Sequence, residues 1–263
     1  LYNSQEILLA LESTALHVNN LPPEIEEFIN TNERFMWVSM LDDPEYNWVT
    51  RVQFNNQNVE QKVDEIVDYY RSKKKSFNWS IGPNSSPLFL GEVMEKKGFH
   101  VINEYEGLAF DLQTSNIKTQ STDHLKMKRV QTTQELKDFI NIRHAGMNEK
   151  DQNLWISLRS KGLEKQQDML VIAYLDQTPV GTASFRLSAD RKIVYFADAV
   201  VLPQYRQRGI YKHLIEYRMR LSRQLKCHVV ITIANVNTSS PILKKWGFKS
   251  YCLMTDYRLL DQT

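Results

Sequence analysis

Cysteine is scarce in this 263-residue chain: Cys227 and Cys252 stand alone, form no CxxC pair, and cannot build a disulfide framework or a thiolate metal centre. Both are expected as free, packed thiols. Nine glycines and eight prolines are too few for a collagen-like or linker-dominated chain. No apolar run reaches the roughly 18 residues that a membrane span needs, so no membrane partner is expected and the chain reads as soluble. The N-terminal residues show no basic segment followed by an apolar stretch and a small-residue cleavage site, which makes the cytoplasm the expected compartment. With 33 Lys and Arg against 31 Asp and Glu, the net charge is +2, too small a field to argue for nucleic acid. The histidines, at 17, 100, 124, 144, 213 and 228, show no HExxH or comparable spacing, so no metal is expected. What is present, 42% hydrophobic and 24% charged residues, is ordinary globular composition in a chain long enough for two modest domains.

The second half carries the clearer pattern. Leu125 to Gln131 reads as a short strand, Thr133 to Met147 as a helix opened by a Thr-Thr-Gln-Glu capping signal, and Asp151 to Ser160 as a further helix. Met169 to Leu175, Val180 to Leu187 and Lys192 to Leu202 are β-rich runs, the first two joined by a hairpin signal, which predicts an antiparallel meander. Ile210, Leu214, Tyr217, Leu221 and Leu225 recur at helical spacing and mark the core face of the next helix. His228 to Ala234 is a strand, Ser239 to Trp246 a short helix ended by Gly247, and Lys249 to Leu259 a last strand.

The first half repeats the later part of that order: strand Trp48 to Phe54, helix Val59 to Ser72, strand Phe77 to Ile81, helix Leu88 to Lys97, strand Gly107 to Leu112. Ser85-Ser86-Pro87 and Lys97-Gly98-Phe99 answer Ser239-Ser240-Pro241 and Trp246-Gly247-Phe248, which predicts an internal duplication. The polar, aperiodic stretch Gln113 to Asp123 is the expected linker, leaving domains 1–112 and 124–263. The expected fold class is α/β, a mixed sheet in each of two tandem domains, mostly antiparallel and flanked by helices.

The sharpest local signal is V-V-L-P-Q-Y-R-Q-R-G-I-Y over Val200 to Tyr211, a strand running through a proline into Arg-x-x-Gly and then a helix. A helix start offers unpartnered amides and the positive end of the macrodipole, so it holds an anion without a dedicated side chain. Gly209 lets the backbone come close, and Arg206 and Arg208 add charge. The competing reading is a solvated basic turn. At the corresponding place the first half has Asn-Asn-Gln-Asn-Val-Glu-Gln, without glycine or arginine, and is expected to bind no phosphate.

With those motifs in that order, residues 125 to 260 resemble the GNAT superfamily of acyl-CoA N-acyltransferases, and the first half resembles a degenerate GNAT copy. The resemblance implies acetyl-CoA as co-substrate. The pantetheine arm would meet Val200, Val201, Leu202 and Pro203, and the pyrophosphate would meet Arg206, Gln207, Arg208, Gly209, Ile210 and Tyr211, with Asn237 near the family's cofactor-touching asparagine. It implies direct transfer to an amine of a small-molecule or peptide acceptor, the Val201 amide serving as oxyanion donor and the first copy walling off the acceptor. Two positions depart from the family. Tyr211 stands where Gly or Ala is usual, and Leu243 stands where many members have a tyrosine acid, leaving Tyr205, Tyr211, Tyr251 or a water as substitutes.

Asp198 interrupts V-Y-F-A-D-A-V-V-L, where an unpaired buried carboxylate would be costly, so it must face a cleft or have a partner. It is the catalytic candidate, as acceptor of the amine's proton or as binder of a cationic substrate; a structural ion pair is the competing reading. His144 is a second candidate base. Trp155, Tyr174, Phe185 and Phe196 read as core, Lys73-Lys74-Lys75 as a solvated helix end, and Ser239-Ser240 as a helix cap. The leading expectation is an N-acetyltransferase; the alternatives are a non-catalytic acyl-CoA sensor or interaction protein on the same fold, and a phosphate-binding domain unrelated to coenzyme A.

Overall fold

The computed structural model describes residues 2–12, 21–113, 124–161 and 168–259. Apart from Gln113, the expected linker lies outside them. The described residues group into two compact units, one of 2–12, 22–108 and 234–259, the other of 21, 109–113, 124–161 and 168–233. The units do not follow the sequence boundary at 124, because the last helix and strand of the chain pack with the first half.

In the first unit, helix α1 (Ser4–Glu12) precedes strands β1 (Ile25–Asn30), β2 (Phe35–Ser39) and β3 (Trp48–Thr50). Helix α2 (Val59–Ser72) leads to β4 (Asn78–Ile81), and α3 (Leu90–Lys96) leads to β5 (Phe99–Asp111), whose last residues belong to the second unit. The sheet order is β1-β2-β3-β4-β11-β5, where β11 (Lys249–Leu259) enters antiparallel to β4 with Asp256 opposite Ser80. Strands β1, β2 and β3 are antiparallel neighbours, whereas β3 and β4 run parallel across α2. The core under α2 is aromatic: Tyr70 stacks on Phe77 with centroids 4.1 Å apart, and Trp79 and Phe99 meet edge to face. Sequence reading missed α1, β1 and β2, and gave β5 only its buried end, because alternation is weak over its exposed first half.

The second unit holds β6 (Leu125–Arg129), α4 (Thr133–Arg143), α5 (Glu149–Ser160), β7 (Asp168–Leu175), β8 (Thr178–Leu187), β9 (Ile193–Val201), α6 (Ile210–Gln224) and all but the end of β10 (Val229–Asn235). Its sheet order is β10-β9-β8-β7-β6. The predicted meander is present, antiparallel from β6 to β9, with β10 parallel to β9 across α6. The Thr132 hydroxyl accepts from the Glu135 amide at 3.2 Å and the Glu135 carboxylate accepts from the Thr132 amide at 3.1 Å, the capping box that the sequence signalled. Thus β3–α2–β4 in one unit repeats the order β9–α6–β10 in the other. The short helices α3 and α7 (Ser239–Lys245) are each followed by a left-handed glycine, Gly98 at φ 89° and Gly247 at φ 93°.

Two local readings change. Ser240 does not cap α7 but donates to Glu106 at 3.0 Å, and the N-cap position belongs to Thr238. Lys75 is not solvated; its ammonium donates to the carbonyls of Met40 and Leu41 and to Asp42. Cys227 is buried, Cys252 half-buried, and both are free; burial pushes each thiol up to about 11. Trp155, Phe185 and Phe196 are buried core residues, as read, and Tyr174 lies half-buried with its hydroxyl 3.3 Å from Asp138.

Candidate functional site

The residues singled out from Val200 to Tyr211 form one continuous structure at the end of β9. A 3-10 turn over Pro203–Tyr205 follows Leu202, whose amide donates to the Val180 carbonyl at 3.0 Å. Arg206 is extended, Gln207 has φ 63° and Gly209 φ 76°, and α6 begins at Ile210. A left-handed N-cap is a conformation that glycine adopts without a Cβ penalty. A Cβ placed on Gly209 would meet nothing within 4 Å, so the turn faces open space. No side chain caps the helix, its first turn has no acidic residue, and the amides of Gly209, Ile210 and Tyr211 have no hydrogen-bond partner among the described residues. Gly181 on β8 brings this helix start close: a Cβ there would press on the Val200 carbonyl at 3.0 Å and on Ile210 at 3.4 Å.

Arg206, Gln207, Arg208 and Gly209 are exposed. Arg206 folds back so that its Nε donates to the Val201 carbonyl at 3.2 Å, and the Arg208 guanidinium lies 5.5 Å from the Tyr205 ring centroid. Both lie within the turn that leads into α6 and are exposed. The Val201 carbonyl and Leu202 amide, expected to meet a pantetheine arm, are thus already engaged within the protein. Tyr211 is half-buried, and burial raises its hydroxyl, partly offset by the charge of Arg218.

The corresponding turn, before α2, differs. Asn55 Oδ1 accepts from the amides of Gln57 and Asn58 at 2.9 and 3.0 Å, and Glu60 puts an acid in the first turn of α2. The N-cap amide of α2, that of Asn58, is thus taken where that of Gly209 is open, and the Glu60 carboxylate disfavours an anion.

Asp198 lies two residues before Val200 on the same strand. Thr182 faces Val200 and Ser184 faces Ala197, so Ala183 is opposed by both Asp198 and Ala199: a β-bulge, with Asp198 at φ 53°. Its carboxylate accepts from Arg143 Nε at 2.8 Å and from Ser184 Oγ at 2.6 Å, and its side chain is 34% exposed. Burial alone would raise this carboxyl; the Arg143 charge and the hydrogen bonds from Ser184 and Arg143 outweigh it and hold it at about 2. His144, which closes α4, is pushed down to about 3 by burial and then by the Arg143 charge, so it is neutral at pH 7. Asp198 and its partners Arg143 and Ser184 therefore form an ion-paired cluster on the strand that feeds the turn.

Sequence reading missed Arg143, Ser184 and Arg218. Arg218, with 2% exposure, donates from one terminal nitrogen to the Ser184 and Ala197 carbonyls at 3.0 and 3.2 Å and from Nε to the Leu214 carbonyl at 3.1 Å. The buried residues of α6 are Ile210, Leu214, Ile215, Glu216, Arg218, Met219 and Ser222, whereas Tyr217, Leu221 and Leu225, read as core, are half-buried. Asn237 belongs to the first unit, exposed in the turn before α7, with its amide donating to Asn235 Oδ1 at 3.0 Å. Leu243 is buried in α7. Among the described residues, no group of His, Cys, Asp and Glu is placed to hold a metal ion, and no helix is long and apolar enough to cross a membrane.

Comparison with known proteins gives this arrangement its relatives. Residues 134–248 match the family model described as the acetyltransferase (GNAT) family. No curated protein sequence matches the chain. Among solved structures, a GCN5-related N-acetyltransferase from Kribbella flavida is similar with a TM-score of 0.67 at 12% identity over 89% of this chain and 90% of that one. A conserved protein of unknown function from Staphylococcus epidermidis gives 0.67 at 13% identity over 89% and 93%. A tandem GNAT protein from the clavulanic acid biosynthesis pathway gives 0.55 at 11% identity over 88% and 79%. At such identities the likeness is one of fold.

Proposed function

We propose that this chain, whose residues 134–248 form a domain of the GNAT acetyltransferase family, is an N-acetyltransferase that moves an acetyl group from acetyl-CoA directly to the amine of a small-molecule or peptide acceptor. The observation that carries this reading is the start of α6: three open amides, a left-handed glycine facing open space, and two exposed arginines, against an α2 start whose N-cap amide is taken by Asn55 and whose first turn carries Glu60. Those features suit a pyrophosphate, which needs backbone donors at close range and gains from the helix macrodipole. Gly209, Ile210 and Tyr211 would hold it through their amides, and Arg206 and Arg208 would stand beside it.

Bound acetyl-CoA supplies the activated thioester carbonyl; the chain's own residues place the amine. Of the two roles open to Asp198, cation binding fits better than proton acceptance. A carboxyl held at about 2 is far too weak a base to take a proton efficiently near pH 7, yet it keeps its negative charge at every working pH. Asp198 would anchor the incoming amine, Arg143 and Ser184 would fix the carboxylate, and the amine's proton would leave to water. A thiol with an ordinary pKa of roughly 8.5 departs as thiolate without a strong acid, which is compatible with Leu243 at the usual tyrosine position.

A second reading, a non-catalytic acyl-CoA-binding protein, is favoured by that same Leu243, an apolar residue buried in α7. Incubation with acetyl-CoA and a panel of amines, followed by release of free thiol, separates the two. Transfer to any amine above the hydrolysis rate supports the enzyme; coenzyme A binding without transfer to any of them favours the second reading.

A further inference from the structure

We propose that Arg218 is a positioning residue that holds the bulge at Asp198 and thereby aims the Asp198 carboxylate and the strand Ala199–Val201 at the reacting end of the site. The inference rests on the acyl-CoA reading above.

The bulge is a local contradiction that something must sustain. Asp198 sits at φ 53°, a left-handed conformation that aspartate tolerates better than most residues but that breaks the ladder of a strand, so it persists only where its surroundings determine it. Four side chains clamp it. Arg143 and Ser184 grip the carboxylate, Thr182 Oγ1 donates to the Asp198 carbonyl at 3.4 Å, and Arg218 grips the backbone of the strand pair that borders the bulge. One guanidinium nitrogen spans the two strands by donating to Ser184 on β8 and Ala197 on β9, which fixes their separation where the ladder is interrupted. The same group lies 4.3 Å from the Phe196 ring centroid, so its plane is set by packing as well as by hydrogen bonds.

The arrangement has a consequence for the whole site. Arg218 lies nine residues after Gly209 on α6, about 13 Å along one helix. Its Nε is tied back to the Leu214 carbonyl of that helix. A single rigid element therefore carries the anion-binding turn at one end and the clamp on the bulge further along. The turn would set where the ligand's phosphates rest, and Arg218 would set where the strand stands that meets its acyl end. Lysine cannot reproduce this, because a single ammonium on a shorter reach has neither the fork nor the planar stacking surface.

The test is calorimetric titration of acetyl-CoA and of free coenzyme A into the wild type, Arg218→Lys and Arg218→Met, with circular dichroism and thermal melting to establish folding. Arg218→Lys keeps a cation should Arg218→Met fail to fold. The wild type is expected to prefer acetyl-CoA by about five- to tenfold, the value of one well-aimed hydrogen bond to the acetyl group. In the folded variants coenzyme A affinity should stay within about twofold, since the turn is untouched, while that preference falls to near unity. A merely structural arginine would lower the melting temperature and leave the preference intact, and that result overturns the proposal. So does equal affinity for the two ligands in the wild type. Failure of both ligands to bind the wild type refutes the acyl-CoA reading itself, and with it the site that Arg218 would serve.

Discussion

Replacing Asp198 by asparagine keeps the shape and the Ser184 contact while removing the charge that Arg143 faces, so it isolates the ion pair. In the folded chain this carboxyl sits at about 2 against an ordinary 3.8. Its folded value is depressed, so the stability it contributes is present above pH 4 and is lost as pH falls through about 2. Fully realised, the difference corresponds to about 2.4 kcal/mol. The side chain is 34% exposed, and solvent screening reduces the expectation to about 1–2 kcal/mol. For a unit of this size that lowers the melting temperature by about 3–6 °C at pH 7. Differential scanning calorimetry of wild type and Asp198→Asn at pH 7, 5 and 3 should show the full difference at the two higher values and about half of it at pH 3. An equal difference at pH 7 and pH 3, or none at pH 7, would refute the argument that Arg143 holds Asp198 as a permanent anion.

Other perturbations read other parts of the chain. Thr132→Ala removes the hydroxyl half of the α4 capping box and should cost about 1 kcal/mol, visible as a lower thermal midpoint with unchanged coenzyme A affinity. Asp256 lies buried on β11, where burial, only partly opposed by the Ser80 hydrogen bond, raises its carboxyl to about 7. Because the folded value is raised, its contribution is complete below pH 4 and is lost as pH climbs through 7. The wild-type melting temperature should therefore fall between pH 5 and pH 8 more steeply than that of Asp256→Asn; parallel curves would contradict the burial argument.

The parts of this molecule that were legible in the sequence are those governed by local rules. The Thr132 capping box, the glycines ending α3 and α7, the β7–β8–β9 meander and the Arg-x-x-Gly turn each announce themselves within a few residues. Asp198 was half legible: a carboxylate inside an apolar strand requires a partner, but only the fold names Arg143 and Ser184, 55 and 14 residues away. The bulge left no trace, since V-Y-F-A-D-A-V-V-L reads as an unbroken strand. Arg218 was hidden for a different reason. On an amphipathic helix an arginine reads as solvent-facing, and the choice of Tyr217, Leu221 and Leu225 rotated the core face away from it. Nor does local pattern reveal that β11, last in the chain, pairs with β4 of the first half, because strand partners are chosen by long-range packing.

The central claim is that the start of α6 is an acyl-CoA site, and calorimetric titration of coenzyme A into wild type, Gly209→Asn and Gly209→Asp tests it most directly. Asparagine tolerates the left-handed conformation and adds no charge, whereas aspartate places an anion against the open amides. The wild type should bind one coenzyme A per chain, since Glu60 disfavours an anion at the start of α2, with modest weakening in Gly209→Asn and loss of more than about tenfold in Gly209→Asp, equivalent to about 1.4 kcal/mol. Equal affinity in all three folded proteins, or no binding to the wild type, would contradict it.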